Sequence, residues 1–281
     1  MDTSSQGCYV GLRSWRSALV AAVALLSMGG LGAVSANAAA PEFGRCVKVA
    51  AGTGKYKTSN CTTQLAGGSF EWTTEIVNKH FTTKIKETAN THLTLNQTVT
   101  PFTSGHVQCK GETGSGEYSG TKEVTNVLLT FTGCETYHSV PSEGVAVNCE
   151  GAASGEIVLH PLEGVLGIIS TTIKQGKETR VVGLDLFPPE KTGLVLGPCN
   201  GISIGVAGSV IGKVVGPDKM SVSGLTNFVA AKGTKQSPEK LEGEPLDVLE
   251  GVLAGGFPSQ IGLALSMTQT SEEAVEVNAF A

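Results

Sequence analysis

The chain predicts an all-β protein: an antiparallel sandwich or barrel-like domain of many short strands, stapled by disulfides and preceded by a signal peptide. Three observations predict it. Apolar and polar residues alternate with period two along most of the chain, the repeat of half-buried strands. Seven cysteines occur, and six remain once the N-terminal apolar segment is set aside. Glycine is abundant at 37 of 281 residues, while charged residues make up only 16%. That composition favours short strands and tight turns over helical bundles.

The N-terminal segment comes first. Arg13 and Arg16 precede an apolar run from Ala18 to Val34, which ends at Ala36-Asn37-Ala38. A basic start, an apolar middle and an A-x-A exit describe a secretory signal peptide, so residues 1–38 are expected to be cleaved. A transmembrane anchor is the rival, but Gly and Ser dilute the run and no basic stop-transfer cluster follows. Cleavage would remove Cys8, Trp15, Arg13, Arg16 and Asp2, leaving 243 residues (39–281) with a formal charge of −6. No second long apolar segment follows, so no integral membrane segment is expected in that mature chain. The whole chain carries a formal charge of −5 and a pI near 5.6, which gives no electrostatic reason to bind nucleic acid or anionic lipid.

The six remaining cysteines are Cys46, Cys61, Cys109, Cys134, Cys149 and Cys199. An even count in an exported chain reads as three disulfides among 15 connectivities. Short-loop arithmetic prefers Cys46–Cys61 and Cys134–Cys149, leaving Cys109–Cys199 as the long-range staple. No C-x-x-C and no Cys–His zinc spacing occurs, so neither metal nor cofactor is expected.

Along residues 39–281, a single secreted β-rich domain is expected, with 39–90 as a less regular N-terminal subdomain pinned by Cys46 and Cys61. Strands are expected at 69–76, 91–100, 104–110, 122–132, 144–149, 155–160, 165–173, 179–187, 193–197, 201–206, 208–215, 219–231, 260–270 and 273–280. The best helical pattern, Lys240–Leu253, is interrupted by Pro245, so at most a short turn of helix follows that proline. A C-x-G echo at Cys109, Cys149 and Cys199 reads either as duplicated units or as Gly wherever a strand enters a turn.

The chemical motifs are sparse. Gly201-Ile202-Ser203-Ile204-Gly205 matches G-x-S-x-G, but the β-branched residues that follow predict no helix, so Ser203 is expected on a strand. Gly114-Ser115-Gly116 with Gly120 reads as a turn, since no dinucleotide-binding context surrounds it. His80, His92, His106, His138 and His160 have no metal-gripping spacing. Glu112, Glu117, Glu156, Glu163 and Asp185 are the strand-end carboxylates from which a glycosidase pair could be drawn. Alternation puts Asp185 opposite Val182, Leu184 and Leu186, on a face expected to be solvated. Trp72, Tyr118 and Tyr137 are the few aromatics able to stack on a sugar, although core or strand-edge roles explain them too. Asn60-Cys61-Thr62 and Asn96-Gln97-Thr98 fit the N-glycosylation pattern.

The stretches 41–46 (PEFGRC), 109–120 (CKGETGSGEYSG), 161–167 (PLEGVLG), 183–188 (GLDLFP) and 272–278 (EEAVEVN) resemble a group of secreted proteins of soil actinobacteria. The resemblance implies secretion and a β-rich domain. That group has no assigned activity, so it implies no cofactor and no catalytic residue. The signal segment, the even cysteine count and the lack of a catalytic constellation give the expected function: a secreted or envelope-associated non-catalytic binding or structural module whose ligand and partner are unknown, a cell-wall or glycan ligand being one candidate. A secreted glycan hydrolase is the alternative, and a lipid carrier with a large dry cavity inside a barrel is a third.

Overall fold

Eight of the alternating segments pair in sequence and close on themselves. They are β1 (His80–Ile85), β2 (Gly111–Tyr118), β3 (Glu123–Thr132), β4 (Leu162–Lys174), β5 (Lys177–Phe187), β6 (Val210–Val215), β7 (Ser221–Ala231) and β8 (Gly262–Asn278). Each pairs antiparallel with the next. β8 then returns to β1 through Met267–Ser271 opposite Ile85–Phe81. This is an up-and-down barrel, which leaves none of these eight strands as an open edge. The sandwich-or-barrel alternative is thus decided by one pairing, β8 to β1. The computed structural model describes residues 41–86, 93–97, 105–137, 145–189, 195–200, 202–231, 235–253 and 258–279; the expected signal peptide lies outside them.

Inward positions follow the pleat. Phe81, Val127, Leu129, Leu184, Phe228 and Met267 are all buried and belong to one core cluster. Four of the inward positions are glycines for a steric reason. A Cβ on Gly164 would stand 2.7 Å from Leu186 Cδ2 and 2.8 Å from Val124 Cγ2, and one on Gly212 would stand 2.7 Å from Phe228 Cε1. Gly114 and Gly116 lie just as closely under Thr83 and Phe81. An eight-stranded barrel has little interior room, so part of the glycine excess makes space inside strands rather than turns between them. Gly164→Val is accordingly expected to cost about 2–3 kcal/mol by overpacking. Gly224→Ala, at a site with nothing within 4 Å, should stay within about 0.5 kcal/mol; equal urea midpoints for the two variants would refute the steric account.

Smaller sheets surround the barrel. Strands Glu42–Lys48, Gly54–Tyr56, Gln64–Gly68 and Phe70–Thr73 form one. This sheet, the cap, joins the barrel where Glu42–Gly44 pairs with Asn278–Glu276 at the end of β8. The Arg45 guanidinium strengthens that junction through Glu273 and the Glu75 carbonyl. Strands Leu93–Gln97, Gly105–Cys109, Glu135–Tyr137 and Val145–Ala146 extend from the start of β8. Val195–Cys199, Ile202–Ala207, Glu250–Leu253 and Ser259–Gln260 form a separate four-stranded sheet. Residues 239–249 form no helix; they run as a strap outside β4, with Leu241 against Gly167 and the Glu242 amide donating to the Ile168 carbonyl at 2.6 Å.

All six cysteines are bridged, as expected, but only one preferred pair holds. The bonds are Cys46–Cys61, Cys109–Cys134 and Cys149–Cys199. Loop length does not choose the partners; register does. Gln108 pairs with Glu135, which brings Cys109 beside Cys134, and Cys149 bridges directly to Cys199. The C-x-G echo marks no common unit. After Cys109 the chain runs straight into β2, whereas Gly151 (φ 83°) and Asn200 (φ 53°) turn left-handed after the other two.

Candidate functional site

The strand-end carboxylates do not converge as a set: Glu163 and Asp185 are diagonal neighbours on the outer face of β4 and β5, whereas Glu112 faces the opposite way. Glu112 lies on β2 facing the barrel interior, 2% exposed, and accepts a hydrogen bond from Thr83 Oγ1 at 2.6 Å. Burial pushes its carboxyl up to about 7, against the pull of Thr83, and its Oε2 has no partner. Asp185 stands on the opposite side of the wall, as alternation predicted, yet it is buried rather than solvated. Its carboxyl is pushed up to about 6, mainly by burial and further by Asp247, which belongs to the strap. The Ser209 hydroxyl is near enough to oppose this shift, but neither Ser209 Oγ nor Asp185 Oδ1 completes a hydrogen bond of ordinary geometry. Glu117 is half-exposed, 3.4 Å from His80 Nδ1; Glu156 accepts from the Ala153 amide; Glu163 is half-buried on β4.

One end of the barrel holds a polar layer. Tyr118 Oη lies 2.8 Å from Ser271 Oγ and accepts from Gln269 Nε2 at 2.7 Å. Burial raises the Tyr118 pKa, opposed by those two bonds. A cavity of about 50 Å³ is lined here by Tyr118, Thr226, Gln269 and Ser271, with Phe43, Val275 and Val277 closing it from the cap. Phe43 packs edge-on against Tyr118 at 5.0 Å. Tyr118, a sugar-stacking candidate by sequence, is therefore a core residue, 4% exposed. The Tyr137 side chain lies outside the described residues.

The other face of the same cap carries the larger anomaly. Antiparallel partners project to the same side, so Gly44 and Glu276 share a face, as do Cys46 and Trp72. The Trp72 indole lies across Gly44: a Cβ there would stand 3.0 Å from Trp72 Cε2. Trp72 is half-exposed, yet its Nε1 is buried without a partner. Glu276 is 1% exposed and neither of its oxygens has a partner. Burial, with Asp218 nearby, pushes its carboxyl up to about 7. Thr58 ends this face, with its carbonyl 3.5 Å from Cys46 Sγ and its own hydroxyl buried and unpartnered. Among the described residues, four of the seven buried side-chain polar atoms without a partner gather here. Burying one such atom costs about 1–3 kcal/mol, so this concentration is the most chemically distinctive place in the described structure.

Sequence pattern singled out Trp72 but not Glu276. Glu276 sits between Val275 and Val277, where alternation alone reads as a solvent face. Ser203 lies on the strand Ile202–Ala207, paired with Pro198, and that strand runs on to Gly208 and β6 with no helix between. Gly114 and Gly116 belong to β2 and not to a turn. Among the described residues no three His, Cys, Asp or Glu side chains converge to hold a metal ion, and no helix is long and apolar enough to cross a membrane. No protein-family model, no curated protein and no solved structure matches the chain.

Proposed function

We propose that the protein is a secreted or envelope-associated β-barrel module that binds a ligand on its outside without catalysing a reaction, cell-wall glycan being the ligand class. The distribution of polar groups carries this reading. The barrel interior is filled by side chains, while unpartnered buried polar atoms concentrate on the outer face of the cap. A cavity of about 50 Å³ has room for a few waters, far below the roughly 300 Å³ of a small-molecule pocket. It gives no support to a lipid carrier. Three disulfides are consistent with an extracellular protein.

The hydrolase alternative needs two carboxylates facing one another across a cleft. Glu112 and Asp185 are on opposite sides of the barrel wall, so the most deeply buried members of the expected set cannot form such a pair. Incubation of the purified protein with isolated bacterial cell walls is expected to deplete it from the supernatant on sedimentation, with no reducing ends released. Protein remaining in solution with every wall fraction would sink the binding reading. Release of reducing ends would replace it with the hydrolase.

A further inference from the structure

We propose that the cap face formed by Trp72, Glu276, Gly44 and the Cys46–Cys61 bridge is a saccharide subsite, in which the indole stacks on the apolar face of a sugar ring and a ring hydroxyl bridges Trp72 Nε1 and the Glu276 carboxyl. This rests on the proposed glycan-binding role and assigns it a place and a chemistry.

The chemistry follows from which atoms lack partners. Trp72 Nε1 can only donate, an ionised Glu276 can only accept, and the Thr58 hydroxyl can do both. A group that satisfies a donor and an acceptor side by side must itself accept and donate. A hydroxyl does so whether or not Glu276 holds its proton; an ammonium group cannot accept from Trp72, and a carboxylate or phosphate cannot donate to an ionised Glu276. The protein supplies no such group, because the residue between them in the register is Gly44, which has no side chain. A larger residue there would occupy the space the indole needs. Trp72 adds an amphipathic ring, half-exposed above and with its polar edge buried below. Such a ring suits a ligand with an apolar face and a polar rim. The indole lies over Gly44, the register partner of Glu276, so a ligand that stacks on it and bonds beneath it must shift it. Asp218 approaches Glu276 from the other side of β8, with its amide donating to the Val277 carbonyl and its Oδ1 accepting from the Ala279 amide. That anchoring holds the floor of the site in place.

The test uses intrinsic fluorescence. In a Trp15→Phe chain, Trp72 is the only tryptophan. Titration with N-acetylglucosamine tetramer and with mannose tetramer is expected to shift its emission saturably for at least one of them, while glycerol at equal hydroxyl concentration does not. Trp72→Phe keeps an apolar ring and loses the N–H, so binding is read there by calorimetry. This variant and Glu276→Gln are each expected to weaken the affinity about tenfold, the worth of one hydrogen bond of about 1.4 kcal/mol. Circular dichroism melts confirm that both variants are folded; if Glu276→Gln is not, the affinity of Trp72→Phe decides. Wall sedimentation run in parallel separates the two ideas. Wall binding that persists undiminished in the folded variants overturns this subsite and leaves the proposed function standing. No wall binding and no fluorescence shift in the parent chain overturns both.

Discussion

Raising the pH from 4.5 to 8 is expected to destabilise the fold, and Glu112 alone should account for about 3 kcal/mol of the loss. The sign follows from where the protons are. Unfolded, Glu112 ionises at its ordinary 4.5; folded, burial holds it protonated to about 7. Below pH 4.5 both states carry the proton and its contribution is complete. Between the two values only the folded state keeps it, so stability falls with rising pH and levels off above 7. Asp185 and Glu276 shift in the same direction, which steepens the slope. Urea midpoints at pH 4.5, 6 and 8 should decline in that order. Glu112→Gln, neutral at every pH and still able to accept from Thr83, should flatten part of the decline and exceed the parent in stability at pH 8. An unchanged slope in that variant would show that Glu112 does not titrate as its burial demands.

Replacing Cys149 and Cys199 together by Ala is expected to cost about 4 kcal/mol, from the chain-entropy worth of a loop of this length. This bond spans 50 residues, against 15 for Cys46–Cys61 and 25 for Cys109–Cys134. The loop it closes contains β4 and β5 and so half of the barrel's β3–β6 wall, which makes it the bridge whose loss should be felt furthest. Non-reducing peptide mapping should recover 149 linked to 199 and 109 linked to 134. Recovery of a 134–149 peptide would restore the short-loop connectivity and contradict the observed register.

Most barrel strands were legible because inward positions carry Val, Leu and Phe while outward ones carry Thr, Lys and Asn. β3, β5 and β7 fall within a residue or two of their expected limits. β1 and β2 were not. β2 (GETGSGEY) has glycine at two inward positions and a carboxylate at a third, so its pattern looks like a turn. Those glycines make sense only once Phe81 and Thr83 are seen above them, and those contacts come from another strand. The 260–270 and 273–280 segments are one continuous strand, whose end also pairs with Glu42–Gly44 while Val275 still faces Ser221 of β7. Asp185 was placed on the correct face and given the wrong environment, because the strap that covers it lies some sixty residues further along. Glu276 was missed for the same reason: its register partner is Gly44, and the indole lying over that glycine belongs to Trp72, on a strand some two hundred residues away.

By itself the sequence determined the class of fold, since alternation and turn chemistry are local and act at separations of two to five residues. It also determined that the six cysteines of residues 39–281 would pair, because an even count can be satisfied within one chain. The tertiary structure alone decided that the strands close into a barrel, which cysteine meets which, where glycine is required for space, and which carboxylates are buried. Each of these is a contact between segments far apart in the chain, and no period in the sequence encodes what a face will pack against. The cap site belongs to that second group: a strand end, a glycine and an indole that pattern marks only as an aromatic become a cluster of unpartnered polar atoms when Glu42–Lys48 meets the end of β8.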